Sequence, residues 1–223
     1  MTRAVIFDVD GTLVDTVDLH TAAWVRTFEH FGVHADPAEV RSQIGKGGDQ
    51  MMPVFLPAER IAEEGEAIER FRSDLYKSEY MPRAAAFPQV RALFERLKAD
   101  GVRVAIGSSC KAGELDAYLT LVDVADVVEA ATTGDDAEHT KPFPDIFQAA
   151  LAKLDGVKAA DAVVVGDSPF DAQAAIGAGM VPVGVLCGGF PENVLRAAGC
   201  VHVLADPKAL LETYPAWLDR SGG

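Results

Sequence analysis

The chain has 223 residues, 49% hydrophobic and 24% charged, enough to bury a sizeable core as one large domain or two smaller ones. With 20 basic against 34 acidic residues its net charge is −14, which argues against an extended nucleic-acid surface. No apolar run approaches the ~20 residues of a membrane-spanning helix, so no membrane partner is expected.

Residues 4–7, Ala-Val-Ile-Phe, form an unbroken apolar run that reads as a short strand buried on both faces. Met1-Thr2-Arg3 leads straight into it without the three-part pattern of a signal peptide, as expected of a cytoplasmic chain. The strand ends in Asp8-Val9-Asp10-Gly11-Thr12. Strand alternation sends Asp8 and Asp10 to one side, and two carboxylates in one small volume repel unless a cation sits nearby or one is protonated. A hard divalent metal is therefore expected here. Gly11 permits a tight exit and the Thr12 hydroxyl can brace it.

The character changes after Thr16. Leu19, Trp24, Phe28 and Phe31 recur at helical spacing over residues 17–31, and Gly32 stands where that helix stops. Pro37 begins a short helix, residues 44–49 (Ile-Gly-Lys-Gly-Gly-Asp) read as a loop, and a polar-faced helix is predicted from Pro57 to about Tyr80. No strand pattern occurs between 16 and 83, so this stretch reads as an all-helical insertion.

Pro82 and Pro88 punctuate the return to alternating strands and helices. Strands are expected at 102–106, near 127–130, at 162–165, at 181–186 and, as an edge, at 201–204. Helices are expected at 89–100, at 112–120, from Lys141-Pro142 to about 154, and at 169–178. Strand-helix repeats of this length specify an α/β fold with a doubly wound parallel sheet. The three cysteines, Cys110, Cys187 and Cys200, show no metal spacing and read as free structural thiols. Ser221-Gly222-Gly223 reads as a loose tail.

Three strands now end in chemically loaded residues: Asp8/Asp10, Ser108/Ser109 and Asp167/Asp171, and a fourth loop supplies Lys141. In an open parallel sheet all four groups converge on one rim. Each has a plain explanation alone, as a turn, a helix N-cap or a solvated lysine. Their joint occurrence at strand ends does not.

This pattern resembles the haloacid dehalogenase-like hydrolase superfamily, in its phosphatase branch with a helical cap after the first strand. The match covers essentially the whole chain: D-x-D-G-T at 8–12, Ser108, Lys141 and G-D-x-x-x-D at 166–171. The resemblance implies a Rossmann-like core over 1–15 and 84–223 with a helical cap over 16–83. It implies Asp8 as nucleophile, Asp10 as general acid and base, and Mg²⁺ held by Asp8, the Asp10 backbone carbonyl, Asp167 and, directly or through water, Asp171. Ser108, Lys141 and the Val9 and Ser109 amides are implied as phosphoryl ligands. The family's dehalogenases lack an acid two residues after the nucleophile, so Asp10 disfavours that reaction here.

The expected ligand is a small phosphorylated metabolite, phosphoglycolate or a sugar phosphate, acted on by a monomer or homodimer. His20 and Trp24 resemble residues of sugar-phosphate members such as the β-phosphoglucomutases, although Trp24 reads equally as helix core. Lys46 reads either as a substrate contact from the cap or as part of a surface loop. Lys111 reads either as a substrate contact or as a helix-start residue. A phosphosugar mutase is the alternative. Mutases of this family carry an Arg where Gln50 stands and an acid where Gly166 stands, and both departures favour a phosphatase. A non-catalytic phosphate-binding regulator is the third reading, and the long helical insertion after the first strand separates the chain from receiver domains.

Overall fold

The computed structural model describes residues 2–219, and the tail expected at 221–223 lies outside them. In chain order the first half comprises β1 (Ala4–Phe7), β2 (Val14–Asp15), α1 (Val17–His30), α2 (Pro37–Ser42), α3 (Gly48–Phe55), α4 (Ala58–Leu75), β3 (Ala85–Ala86) and α5 (Val90–Ala99). There follow β4 (Arg103–Gly107), α6 (Ala112–Leu121), β5 (Ala130–Thr132), α7 (Asp145–Ala152), β6 (Ala162–Gly166) and α8 (Pro169–Gly177). β7 (Val181–Val185), α9 (Glu192–Ala197), β8 (His202–Leu204) and α10 (Pro207–Glu212) complete the chain.

The main sheet is wholly parallel, in the order β5-β4-β1-β6-β7-β8. Its register aligns Val5 with Val104 on one side and Val163 on the other. Side-chain alternation along β1 feeds two separate cores. Val5 and Phe7 pack with Phe94 and Leu97 of α5 and with Leu210 and Trp217, whereas Ala4 and Ile6 pack with Ile146 and Phe147 of α7 and Ala174 and Ala175 of α8. Helices thus cover both faces, as a parallel sheet requires. The order of strands reverses at β1, so the carboxyl ends of β1, β4 and β6 flank the switch point where ligands bind in such sheets.

Helices α1–α4 form a layer with an apolar cluster of its own, built on Trp24, Phe28, Val40, Met51, Met52 and Ile68. The chain leaves the sheet for this layer and returns from it through the antiparallel ribbon of β2 and β3. Helix α4 continues into a π-helical turn over Tyr76–Tyr80. No helix among the described residues is long and apolar enough to cross a membrane.

Local differences from expectation have local causes. Residues 48–49, expected in a loop, begin α3: the glycines disguise a helix that buries Met51 and Met52. Strand β5 lies about three residues later than expected, and α7 starts only at Asp145, after a turn over 141–144 from which the Lys141 side chain reaches Asp8. The short α9 and α10 were not expected.

Candidate active site

Asp8 leaves β1 with its amide bonded to the Val165 carbonyl (2.9 Å) and only 1% of the residue exposed. The turn that follows is closed by Gly11 in the left-handed region, at φ +76°, where an L side chain is strained. A Cβ on Gly11 would stand 2.5 Å from the Asp167 carboxylate, and one on Gly188 would stand 1.7 Å from it. Two glycine backbones therefore enclose Asp167. The Thr12 hydroxyl spans Asp8 Oδ2 (3.5 Å) and Asp167 Oδ1 (3.2 Å), tying the ends of β1 and β6 together.

Lys141 is 1% exposed and places its Nζ 2.5 Å from Asp8 Oδ1 and 2.7 Å from Asp171 Oδ1. Asp171 is aimed by the start of α8. The Ser168 amide and hydroxyl donate to Asp171 Oδ2 at 3.1 and 2.6 Å, and the Asp171 amide donates back to the Ser168 hydroxyl. This is a capping box, an ordinary device for starting a helix, and here it also fixes a buried acid.

The Asp10 carboxylate stands outside the group formed by Asp8, Asp167 and Asp171. Its Oδ1 accepts from the Thr16 hydroxyl (2.7 Å) and lies 2.9 Å from His20 Nε2. Burial alone would raise the Asp10 pKa; His20 and Thr16 outweigh that and hold it below the ordinary value. Asp8 behaves in the opposite way. Burial, with repulsion from Asp171 and Asp10, overcomes Lys141 and lifts it to about 7. Burial and the neighbouring acids push Asp167 well above the ordinary range too. Burial would lower Lys141, but Asp171 and Asp8 more than offset it, so the ammonium persists.

One ammonium does not compensate three buried carboxylic groups. One oxygen from each of Asp8, Asp167 and Asp171 lies within 4.8 Å of the others, a compact set of hard donors at a place short of positive charge. These residues fit a hard divalent cation.

The other expected residues divide. Ser108 is fully buried and its hydroxyl accepts from the Cys110 amide (3.2 Å), whereas the Ser109 hydroxyl is buried with no partner among the described residues. Lys46 lines the cavity beside Asp8 and Asp10, holds Gln43 (2.6 Å) and lies over the Phe170 ring; burial lowers its pKa. His20 stacks on Tyr76 at 4.0 Å while holding Asp10. Lys111 is outside this cavity, exposed and paired with Asp135 at 3.0 Å.

Arg72 of α4 and Glu114 of α6 were not singled out by sequence reasoning, yet both are buried and line the same cavity. Only the fold brings these two charges together.

Residues 5–185 match the family of haloacid dehalogenase-like hydrolases. A phosphoglycolate phosphatase of Rhodospirillum rubrum is 31% identical over 215 residues, covering 92% of this chain and 88% of that protein. A phosphorylated carbohydrates phosphatase of Thermotoga maritima is 29% identical, covering 94% of this chain and 90% of that one. The crystal structure of a hydrolase from Pseudomonas syringae superposes with a TM-score of 0.86 at 27% identity, covering 95% and 97% of the two chains. By that match, and by four motifs carried to one rim of a parallel sheet, the chain belongs to the haloacid dehalogenase-like hydrolases, as a phosphoric monoester hydrolase among them.

Proposed function

We propose that the protein is a Mg²⁺-dependent phosphatase of small phosphorylated metabolites, phosphoglycolate or a sugar phosphate, working through an aspartyl-phosphate on Asp8. The observation that carries this reading is the buried Asp8 carboxylate at the end of the central strand, 2.5 Å from Lys141 Nζ and grouped with Asp167 and Asp171.

Asp8 would attack phosphorus, forming a bond between its carboxylate oxygen and phosphorus as the bond to the ester oxygen breaks. Lys141, the Ser108 hydroxyl and the Val9 and Ser109 amides would hold the equatorial oxygens, where charge develops. Asp10 would give its proton to the departing alkoxide, then take one from the water that attacks the aspartyl-phosphate and releases inorganic phosphate. At rest His20 holds Asp10 ionised. That state suits the second half-reaction; for the first, the anionic phosphoryl group must raise the proton affinity of Asp10. Asp8 and Asp167, with the Asp10 carbonyl and Asp171 directly or through water, would hold the cation, which supplies positive charge to the nucleophile and a phosphoryl oxygen when bound. Gln50 donates to Asp49 (3.0 Å) rather than offering a cation, which favours phosphatase over mutase.

Phosphate release from a panel of phosphoglycolate, hexose phosphates and nucleotides, with and without Mg²⁺, tests the reading. Metal-dependent release from one or a few compounds is expected. Asp8→Asn should lower turnover by at least about 1,000-fold with the circular dichroism spectrum intact. Retained activity in that variant would overturn the nucleophile assignment.

A further inference from the structure

The cavity beside Asp8, Asp10 and Lys141 is about 40 Å³, room for no more than a few waters. It adjoins a second cavity of about 520 Å³, and Gly47, Gly48, Arg72 and Ser109 line both. The larger cavity is therefore the adjoining room for the alcohol portion of an ester whose phosphoryl group meets Asp8.

Around this junction the smaller cavity is lined by buried polar groups with unmet bonding capacity, of which Arg72 and Ser109 also line the larger one. Nη1 of Arg72 lies 4.0 Å from Glu114 Oε1, too far for a hydrogen bond. Arg72 Nε and Nη1, both Glu114 oxygens and the Ser109 hydroxyl are all buried without a hydrogen-bond partner among the described residues, although Arg72 and Glu114 face each other as an ion pair. Arg72 is held over Trp24 and Tyr76, 5.6 and 5.7 Å from the ring centres. Unsatisfied buried charge of this kind is rare and costly unless a ligand completes it.

The bonding capacity decides the ligand. Arg72 offers only donors, Glu114 as a carboxylate offers only acceptors, and a hydroxyl is both. A ligand hydroxyl can accept from Arg72 and donate to Glu114. A carboxylate can serve Arg72 alone, and would meet Glu114 as a like charge. The larger cavity adds to that bias. It is lined by Asp49, Glu66, Glu69 and Glu138, while its Lys111 is paired with Asp135.

Resting on the phosphatase reading above, we infer that Arg72 and Glu114 are specificity-determining residues that select phosphomonoesters of neutral polyhydroxylated alcohols and reject leaving groups bearing a carboxylate or a second phosphate. The pair divides the two substrate classes named for the proposed activity: sugar phosphates are accepted and phosphoglycolate is not.

Initial rates of phosphate release with hexose monophosphates, a hexose bisphosphate and phosphoglycolate test this on the full-length protein in Mg²⁺. The wild type should favour the best neutral monophosphate over phosphoglycolate and over the bisphosphate by at least tenfold in kcat/KM. In Glu114→Gln the ratio of sugar phosphate to phosphoglycolate should fall at least tenfold, chiefly through KM for the sugar. Glu69→Gln, a milder change at the rim of the larger cavity, should lower the same ratio about threefold, and it keeps the test open if the buried variant folds poorly. A wild type that prefers phosphoglycolate, or ratios unmoved in both variants, would overturn the inference while leaving a phosphatase. Absence of release from every ester, including a generic aryl phosphate, would instead overturn the phosphatase reading and the inference with it.

Discussion

Asp8 is held in an environment that resists its own ionised form, and that has a measurable consequence. Its folded pKa of about 7 lies above the ordinary 3.8, so between those values the native state binds more protons than the unfolded chain. Stability without metal must then fall as pH rises through that window. Asp167 is raised as well and lies in the same cluster, so the two titrate as a pair. Denaturant unfolding in EDTA should show the wild type losing stability relative to Asp8→Asn as pH rises from about 4 to about 7, with a slope of up to ~1.4 kcal/mol per unit. A difference that stays flat across the window would mean that Asp8 is ionised throughout. Mg²⁺ should act with the opposite sign. Its binding needs the carboxylate, so its stabilisation grows as pH rises toward 7.

At the scale of elements, the start of α8 joins folding to the site. The Ser168 hydroxyl caps the helix and grips Asp171 Oδ2, while Lys141 takes Oδ1. Ser168→Ala should cost about 1 kcal/mol as a lost N-cap, roughly 2–4 °C in Tm for a chain of this size. It should also weaken Mg²⁺ binding, because Asp171 loses the partner that aims it. A lowered Tm with unchanged Mg²⁺ affinity by calorimetry would show that Lys141 and the Ser168 amide suffice to position Asp171. This element was legible in the sequence, since Gly166-Asp167-Ser168-Pro169 follows a fully apolar strand. So was β1, because a strand buried on both faces leaves an unbroken apolar run. Helix α3 was not. Glycines at 45, 47 and 48 carry the signal of a loop, and the burial of Met51 and Met52 that overrides it is a property of the packed helical layer. The six-residue α9 and α10 are too short to show a period.

On the scale of the whole molecule, the rim of the sheet was readable because its residues follow strands, whereas Arg72 and Glu114 lie on helices of the insertion and the core. An arginine on a polar-faced helix carries no mark of burial. It comes within 4.0 Å of Glu114 only through the fold, which brings a side chain of α4 to one of the first turn of α6. The same packing bears on substrate access. The space over Asp8 is about 40 Å³, so most of a sugar phosphate would have to occupy the adjoining cavity of about 520 Å³, and the helical layer that walls both governs entry, as lids commonly do. A clasp holds it shut: the Asp49 carboxylate accepts from the amide (3.1 Å) and hydroxyl of Thr140, and the Gly47 amide donates to the same hydroxyl (3.0 Å). Thr140 directly precedes Lys141, so the clasp closes beside the phosphoryl site. Cys110 lines the cavity over Asp8 and is 5% exposed, and burial raises its thiol well above the ordinary range. Its alkylation, read by peptide mass spectrometry so that Cys187 and Cys200 are scored separately, reports opening. Asp49→Ala removes the carboxylate of the clasp and should speed modification of Cys110 about fivefold or more, in line with the loss of ~1 kcal/mol of hydrogen bonding. Cys200, buried in the core beyond β7, should keep its rate. Equal acceleration at both thiols would signal global loosening, and an unchanged rate at Cys110 would mean that the layer is restrained elsewhere.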